Sequence, residues 1–148
     1  MEERDTEELL CISANDKTYA FEFPYVAEIS KGMNISKIPA LPEYFAGVCN
    51  NRGEIIPIIR MPGEMSETDS LDESGLIMLI IKYKNYKFGI ILDKEPFIAS
   101  SDKISRVKTN LEELEDCIWV EKEIWKSDKG IISLIDVKRM TERLIVFR

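Results

Sequence analysis

Few residues of this chain are of a type that does covalent chemistry, and their spacing assembles no reactive group. Histidine is absent, which removes the commonest general base, the commonest zinc ligand and any phosphohistidine relay. Cys11, Cys49 and Cys117 are odd in number, far apart and embedded in apolar sequence, the pattern of reduced core thiols in a cytosolic protein. There is no Cys-x-x-Cys pair, phosphate-cradling glycine loop or Gly-x-Ser-x-Gly elbow. The acidic run LEELED (111–116) reads as a solvated turn rather than paired catalytic carboxylates, and no Asp-x-Asp-x-Asp-Gly loop offers an all-oxygen metal site. Neither catalysis, a metal nor a cofactor is expected.

One charged side chain does ask for a role. In GVCNNRGEIIPII (47–59), Arg52 interrupts residues otherwise suited to a buried strand or the tight turn leading into one. A guanidinium there needs a carboxylate, and its planar fork suits bidentate pairing better than a lysine would.

The elements that must position it are strands. LLCISAN (9–15) is followed by a turn at Asp16-Lys17, then by TYAFEF (18–23), which alternates with Tyr19, Phe21 and Phe23 on one face. YVAEIS (25–30) continues after Pro24, which disfavours helix at Phe23 and breaks the ladder. IPALPEYFAG (38–47) reads as a loop with at most one helical turn, and EIIPIIRM (54–61) as a strand ended by Pro62-Gly63. The polar stretch 63–75 reads as an exposed connector and as the place where the chain divides. LIMLIIKY (76–83) has the continuous apolar character of a strand buried on both faces. A turn at Asn85, then YKFGIIL (86–92), FIASSD (97–102), CIWVEKEIW (117–125) and IISLI (131–135) follow. Asp136 is placed to cap a closing helix over 137–147, with Val137, Met140, Leu144 and Phe147 at helical spacing. Many short strands with tight turns indicate an all-β barrel or sandwich. GEIIPIIRM (53–61) and KGIISLIDV (129–137) echo each other, both placing Ile-Ile-x-x-Ile after a glycine turn.

The 148 residues allow one ordinary domain or two very small ones sharing a core. A net charge of −7, with a pI of about 4.8, argues against a nucleic-acid partner. No apolar run approaches a membrane span, and the acidic start MEERDTEELL lacks a signal core, so a cytoplasmic protein is expected.

Taken together, YVAEI and IPALPEYFAGVCNNRGEIIPII resemble the most recognisable stretch of the CheW-like domain, the adaptor of bacterial and archaeal chemotaxis. The matching positions are Val26, Glu28 and Ile29; Ile38 and Pro39; Pro42, Phe45, Gly47 and Val48; Asn50, Arg52, Gly53 and Pro57. Downstream, FGIILD (88–93) is similar to the family's Gly-x-x-x-Asp strand, and IISLIDVKRM to its closing strand and helix start. The chain departs from the family pattern at Arg60-Met61-Pro62, where Asp-Leu-Arg is usual, at Lys94-Glu95-Pro96, and in lacking a glycine near DCIWVEKEIW.

The resemblance covers nearly the whole of 1–148 and implies an all-β fold. Two small five-stranded SH3-like barrels would pack on a shared core, their sequence regions intermixed, with a short C-terminal helix. It implies an adaptor that works by contact, coupling chemoreceptors to the histidine kinase CheA at membrane-associated arrays without itself inserting in the membrane. The kinase's regulatory domain would meet the edge carrying Tyr25, Val26 and Glu28. The receptor's coiled-coil tip would lie in a groove between barrels near Gly47, Arg52, Gly89 and Ile98, with the glycines permitting close approach. Arg52 is expected to lie partly buried and to pair with Glu28. Arg60 is expected at the surface as a specificity determinant, and Val26→Asp and Arg60→Asp to alter binding without unfolding. The alternatives are the adaptor part of a CheV-like protein or kinase regulatory domain, and a small-ligand sensor.

Overall fold

In a computed structural model, the structure describes residues 6–14, 16–40, 42–62, 76–106 and 118–145. Ten strands and one helix are present among them: β1 Thr6–Ala14, β2 Lys17–Phe21, β3 Val26–Lys31, β4 Phe45–Asn51, β5 Glu54–Ile59, β6 Ile77–Tyr83, β7 Tyr86–Leu92, β8 Phe97–Arg106, β9 Glu121–Ser127, β10 Gly130–Ile135 and α1 Val137–Ile145. The expected strands recur with shifted ends. β2 stops at Phe21, because Phe23–Tyr25 form a single 3-10 turn around Pro24 and leave Phe23 exposed. Phe23 therefore does not extend the face of Tyr19 and Phe21, and Pro24 does not keep it out of helical geometry. β9 begins four residues later than read, and Cys117 and the acidic run 111–116 lie outside the described residues.

The strands form two units that interleave in sequence, one comprising 1–23 with 96–148 and the other 24–95. The first is a closed barrel of strand order β1-β2-β10-β9-β8. It joins the two ends of the chain because β10 runs parallel to β2, with Ile132 opposite Thr18 and Leu134 opposite Ala20. The connector 63–75 lies outside the described residues and within the sequence span of the second unit, whose limits fall instead at Phe23/Pro24 and Glu95/Pro96. Both limits are X-Pro bonds, where the missing N–H interrupts a ladder.

The second unit is a five-stranded sheet of order β3-β6-β7-β5-β4, with β5 parallel to β7 and the other neighbours antiparallel. Reading β8-β9-β10-β1-β2 as a circular permutation of β3-β4-β5-β6-β7 gives the two units one strand order. The sequence echo then falls on equivalent strands, β5 and β10, each parallel to the last strand of the permuted set and antiparallel to its predecessor. One pairing separates the units. β8 and β9 are hydrogen-bonded, closing the first barrel, whereas their counterparts β3 and β4 form no ladder among the described residues. In place of that ladder, an isolated antiparallel bridge joins the segment after β3 to β4, Ser36 and Val48 exchanging backbone hydrogen bonds.

Each unit has its own apolar interior. Leu9, Cys11, Ala20, Ala99, Trp125, Ile132 and Leu134 fill the first, and Ala46, Cys49, Ile56, Ile58, Met78, Ile80 and Ile91 lie in the second, with Met33 and Ile35 packed against them. β6 is buried on both faces from Ile77 to Ile81, as its continuous apolar run requires. The helix starts where Asp136 caps it, its Oδ1 accepting from the Arg139 N–H at 3.1 Å, and buries Val137, Met140, Thr141 and Leu144.

Candidate functional site: a carboxylate clamp across the open sheet edge

The β3 edge, which forms no ladder with β4 among the described residues, is tied to the end of β4 by side chains. Glu28 Oε1 accepts from Asn51 Nδ2 at 2.9 Å, while Glu28 Oε2 accepts from Arg52 Nε at 3.2 Å and from Arg52 NH2 at 3.0 Å. Thus one carboxylate on β3 ties down the end of β4 and the turn that follows it. The Asn51 hydrogen bond and then those from Arg52 hold the Glu28 carboxyl below its ordinary pKa.

Local backbone chemistry sets the turn. Asn51 and Glu54 are the last paired residues of the β4–β5 hairpin, so Arg52-Gly53 is a two-residue loop. Both loop residues have positive φ, 55° and 85°, as a type I′ turn requires. Gly53 takes this without penalty, but an L residue in the left-handed region costs roughly 1–2 kcal/mol. The Asn50 carbonyl Oδ1 steadies the loop by accepting from Gly53 N at 2.8 Å. A strained arginine held by a fixed carboxylate is a positioned cation.

It is not the partly buried cation expected from the apolar surroundings. The Arg52 side chain is 77% exposed and that of Glu28 25%. The flanking residues are apolar because β4 and β5 are core strands, whereas the two-residue turn projects Arg52 beyond them. An ion pair this exposed contributes about 0–1 kcal/mol, so the 3–5 kcal/mol scale of a broken buried pair does not apply. Asn51, only 4% exposed, is the buried member of the clamp. Sequence reading passed over it. The signal available was Asn-Asn before Arg-Gly, since asparagine is common at such turns.

The other expected site residues fall in three kinds of place. Tyr25 and Val26 are half-buried beside Glu28, Tyr25 with its ring 6.0 Å from that of Tyr83 and Val26 opposite Ile81. Ile98 is 58% exposed on the outer face of β8, in the first unit. Gly47 and Gly89, by contrast, are buried, and this chain fills the space each leaves. A Cβ on Gly47 would come within 2.3 Å of Ser36 O, where Ser36 and Val48 exchange backbone hydrogen bonds of 2.8 and 2.9 Å. A Cβ on Gly89 would meet Ile58 Cδ1 and Met78 Sδ, both at 2.7 Å. The close approach these glycines allow is intramolecular, so neither offers the surface for a partner that the reading assigned.

Arg60 is also placed differently. It is half-buried just beyond β5, its NH1 donating to the carbonyl oxygens of Glu43 and, at 2.7 Å, Phe45. Its backbone N–H donates to Tyr44 O at 2.8 Å. The residue is a clamp on the chain entering β4 rather than a solvated rim charge, because a guanidinium carries enough donors to serve adjacent carbonyls at once.

Burial raises the Cys11 thiol to about 11 and also raises that of Cys49, so both stay protonated and inert. Among the described residues no group of three or more Cys, Asp or Glu could hold a metal, and no helix is long and apolar enough to cross a membrane. The described residues thus form an all-β pair of small units, the second carrying a carboxylate clamp on β3.

Comparison with known proteins carries this to a family. Residues 8–144 match the CheW-like domain model, and the chain belongs to that family, one of chemotaxis adaptors. It is 24% identical to a chemotaxis protein CheW of Bacillus subtilis over 93% of this chain and 88% of that one. It is 32% identical to that of Treponema pallidum over 59% and 54%. The solved structure of the scaffolding protein TtCheW from Thermoanaerobacter tengcongensis shares the fold, with a TM-score of 0.68, 24% identity and coverage of 88% of each chain.

Proposed function

We propose that this protein couples chemoreceptors to the histidine kinase CheA by contact alone, in the cytoplasm at receptor arrays. Membership of the CheW-like family supports this reading, and the carboxylate clamp carries it. Glu28 fixes the turn that displays Arg52 and leaves Tyr25 and Val26 beside an unladdered strand edge. Such an edge accepts a partner's strand or loop, and a short row of half-buried apolar residues beside charge suits a moderate, reversible interface. The kinase's regulatory domain is the proposed occupant of the edge at Tyr25, Val26 and Glu28. For the receptor tip, Arg52 and Ile98 remain as surface candidates, while Gly47 and Gly89 act only through packing.

Calorimetric titration of the cognate kinase regulatory domain into wild type and Val26→Asp tests the kinase contact. Val26→Asp is expected to weaken binding by roughly tenfold or more, about 1.4 kcal/mol, with the melting temperature nearly unchanged. Equal affinities would refute the placement, and loss of folding would make Val26 a core residue.

A further inference from the structure

We propose that the tip of the β6–β7 hairpin is a docking surface for an acidic segment of a partner protein. The chain carries a net charge of −7, yet residues 82–88, Lys-Tyr-Lys-Asn-Tyr-Lys-Phe, hold three lysines and no carboxylate. The ladder sets Lys82 directly opposite Lys87 and Tyr83 opposite Tyr86. Like charges facing each other across an antiparallel pair weaken it, so placing Lys82 opposite Lys87 costs the hairpin stability. The turn adds a second cost. Lys84 sits at φ 55°, a left-handed conformation that glycine or asparagine would adopt more cheaply.

Two independent local penalties at one exposed tip point outward for their explanation. Lys87 reaches Glu54 at 3.5 Å. Lys82 and Lys84 are exposed, and among the described residues neither has an ion-pair partner. The Lys84 ammonium lies 5.5 Å from the centre of the Tyr83 ring, which itself rests against Tyr25, while Tyr86 is exposed. Ammonium groups and phenol hydroxyls both donate to carboxylates, and the tyrosine rings add apolar contact at little entropic cost. An acidic peptide segment meets all of these groups. An anionic bilayer fits less well, because it would face the remaining negative surface over a wide area, whereas a short segment engages only the tip within a Debye length of about 8 Å. This surface adjoins the β3 edge through β6 and the Tyr83–Tyr25 ring contact, but the peptide titration reads it without kinase or receptor.

The test is an NMR titration of the isotope-labelled full chain with an acetylated peptide of alternating glutamate and aspartate. It compares wild type, Lys82→Glu/Lys84→Glu and Lys84→Asn. Wild type should show saturable shifts concentrated on the amides of 82–87, weakening as salt rises. The double variant should lose roughly tenfold or more in affinity and melt no lower, because the Lys82–Lys87 repulsion becomes attraction. Lys84→Asn relieves the left-handed lysine, so it should melt higher and bind more weakly. Shifts spread over remote lysines such as Lys126 and Lys129 would overturn the proposal, as would variants that bind as wild type does. Co-sedimentation with phosphatidylglycerol vesicles stronger than peptide binding would assign the tip to a lipid surface and overturn it too.

Discussion

Removing the Arg60 guanidinium should loosen the chain's entry into β4. NH1 donates to the carbonyls of Glu43 and Phe45, one residue to either side of Tyr44, whose carbonyl accepts from the Arg60 N–H. Hydrogen bonds to charged groups contribute about 1.5–3 kcal/mol each. The side chain is half-buried, so water recovers part of that when the donors are removed, and Arg60→Ala should cost about 2–3 kcal/mol in all. For a protein of this size each kcal/mol moves the melting temperature by about 2–4 °C, giving a fall of about 4–12 °C. Arg60→Asp should cost more, because a carboxylate would then face two carbonyl oxygens with no donor between them. Thermal melts followed by circular dichroism measure the loss. Hydrogen exchange of the Arg60 amide, which is bonded to Tyr44 O, locates it. A melting temperature within about 1 °C of wild type for both variants, with unchanged exchange at that amide, would refute the clamp and return Arg60 to the role of a solvated rim charge.

The clamp on the sheet edge should respond to pH. The folded-state pKa of Glu28 is lowered, so the stability it confers is present above the ordinary glutamate range and is lost as pH falls through the folded value. The difference in melting temperature between wild type and Glu28→Gln should therefore narrow between pH 7 and pH 3; a constant difference would argue against the linkage. Gly47→Ala places a Cβ against the Ser36 carbonyl in a left-handed backbone, and should destabilise by about 1–3 kcal/mol in chemical denaturation. Gly89→Trp should fail to fold, as judged by loss of near-ultraviolet dichroism, so unchanged receptor binding by that variant would contradict its burial.

The strands were legible in the sequence because their period is local. The apolar run Tyr19-Ala20-Phe21 of β2, the continuous apolar run of β6 and the Asp136 cap of α1 all depend on neighbours along the chain. Which strands pair is a non-local property, and so the joining of chain ends through β2 and β10 could not be read from the polar connector at 63–75. The same limit explains the site. A glycine in an apolar strand signals a close approach without saying whether the approaching group belongs to another molecule or to the chain itself, as the Ser36 carbonyl does at Gly47 and the Ile58 and Met78 side chains do at Gly89. Arg52 looked buried because both flanking strands are, yet a two-residue turn lifts its central residues clear of the sheet. Arg60 departs from the family's usual aspartate, and composition alone gave no sign that two backbone carbonyls lay within its reach.

Reconstitution tests the proposed coupling most directly. Receptor-bearing membranes and purified CheA from the source organism would be combined with and without this protein, and kinase autophosphorylation followed as receptor ligand is added. Control of the kinase by the ligand is predicted only when the protein is present, and it should weaken with Val26→Asp at unchanged stability. Ligand control that is the same without the protein, or a protein that associates with neither kinase nor receptor, would contradict the account.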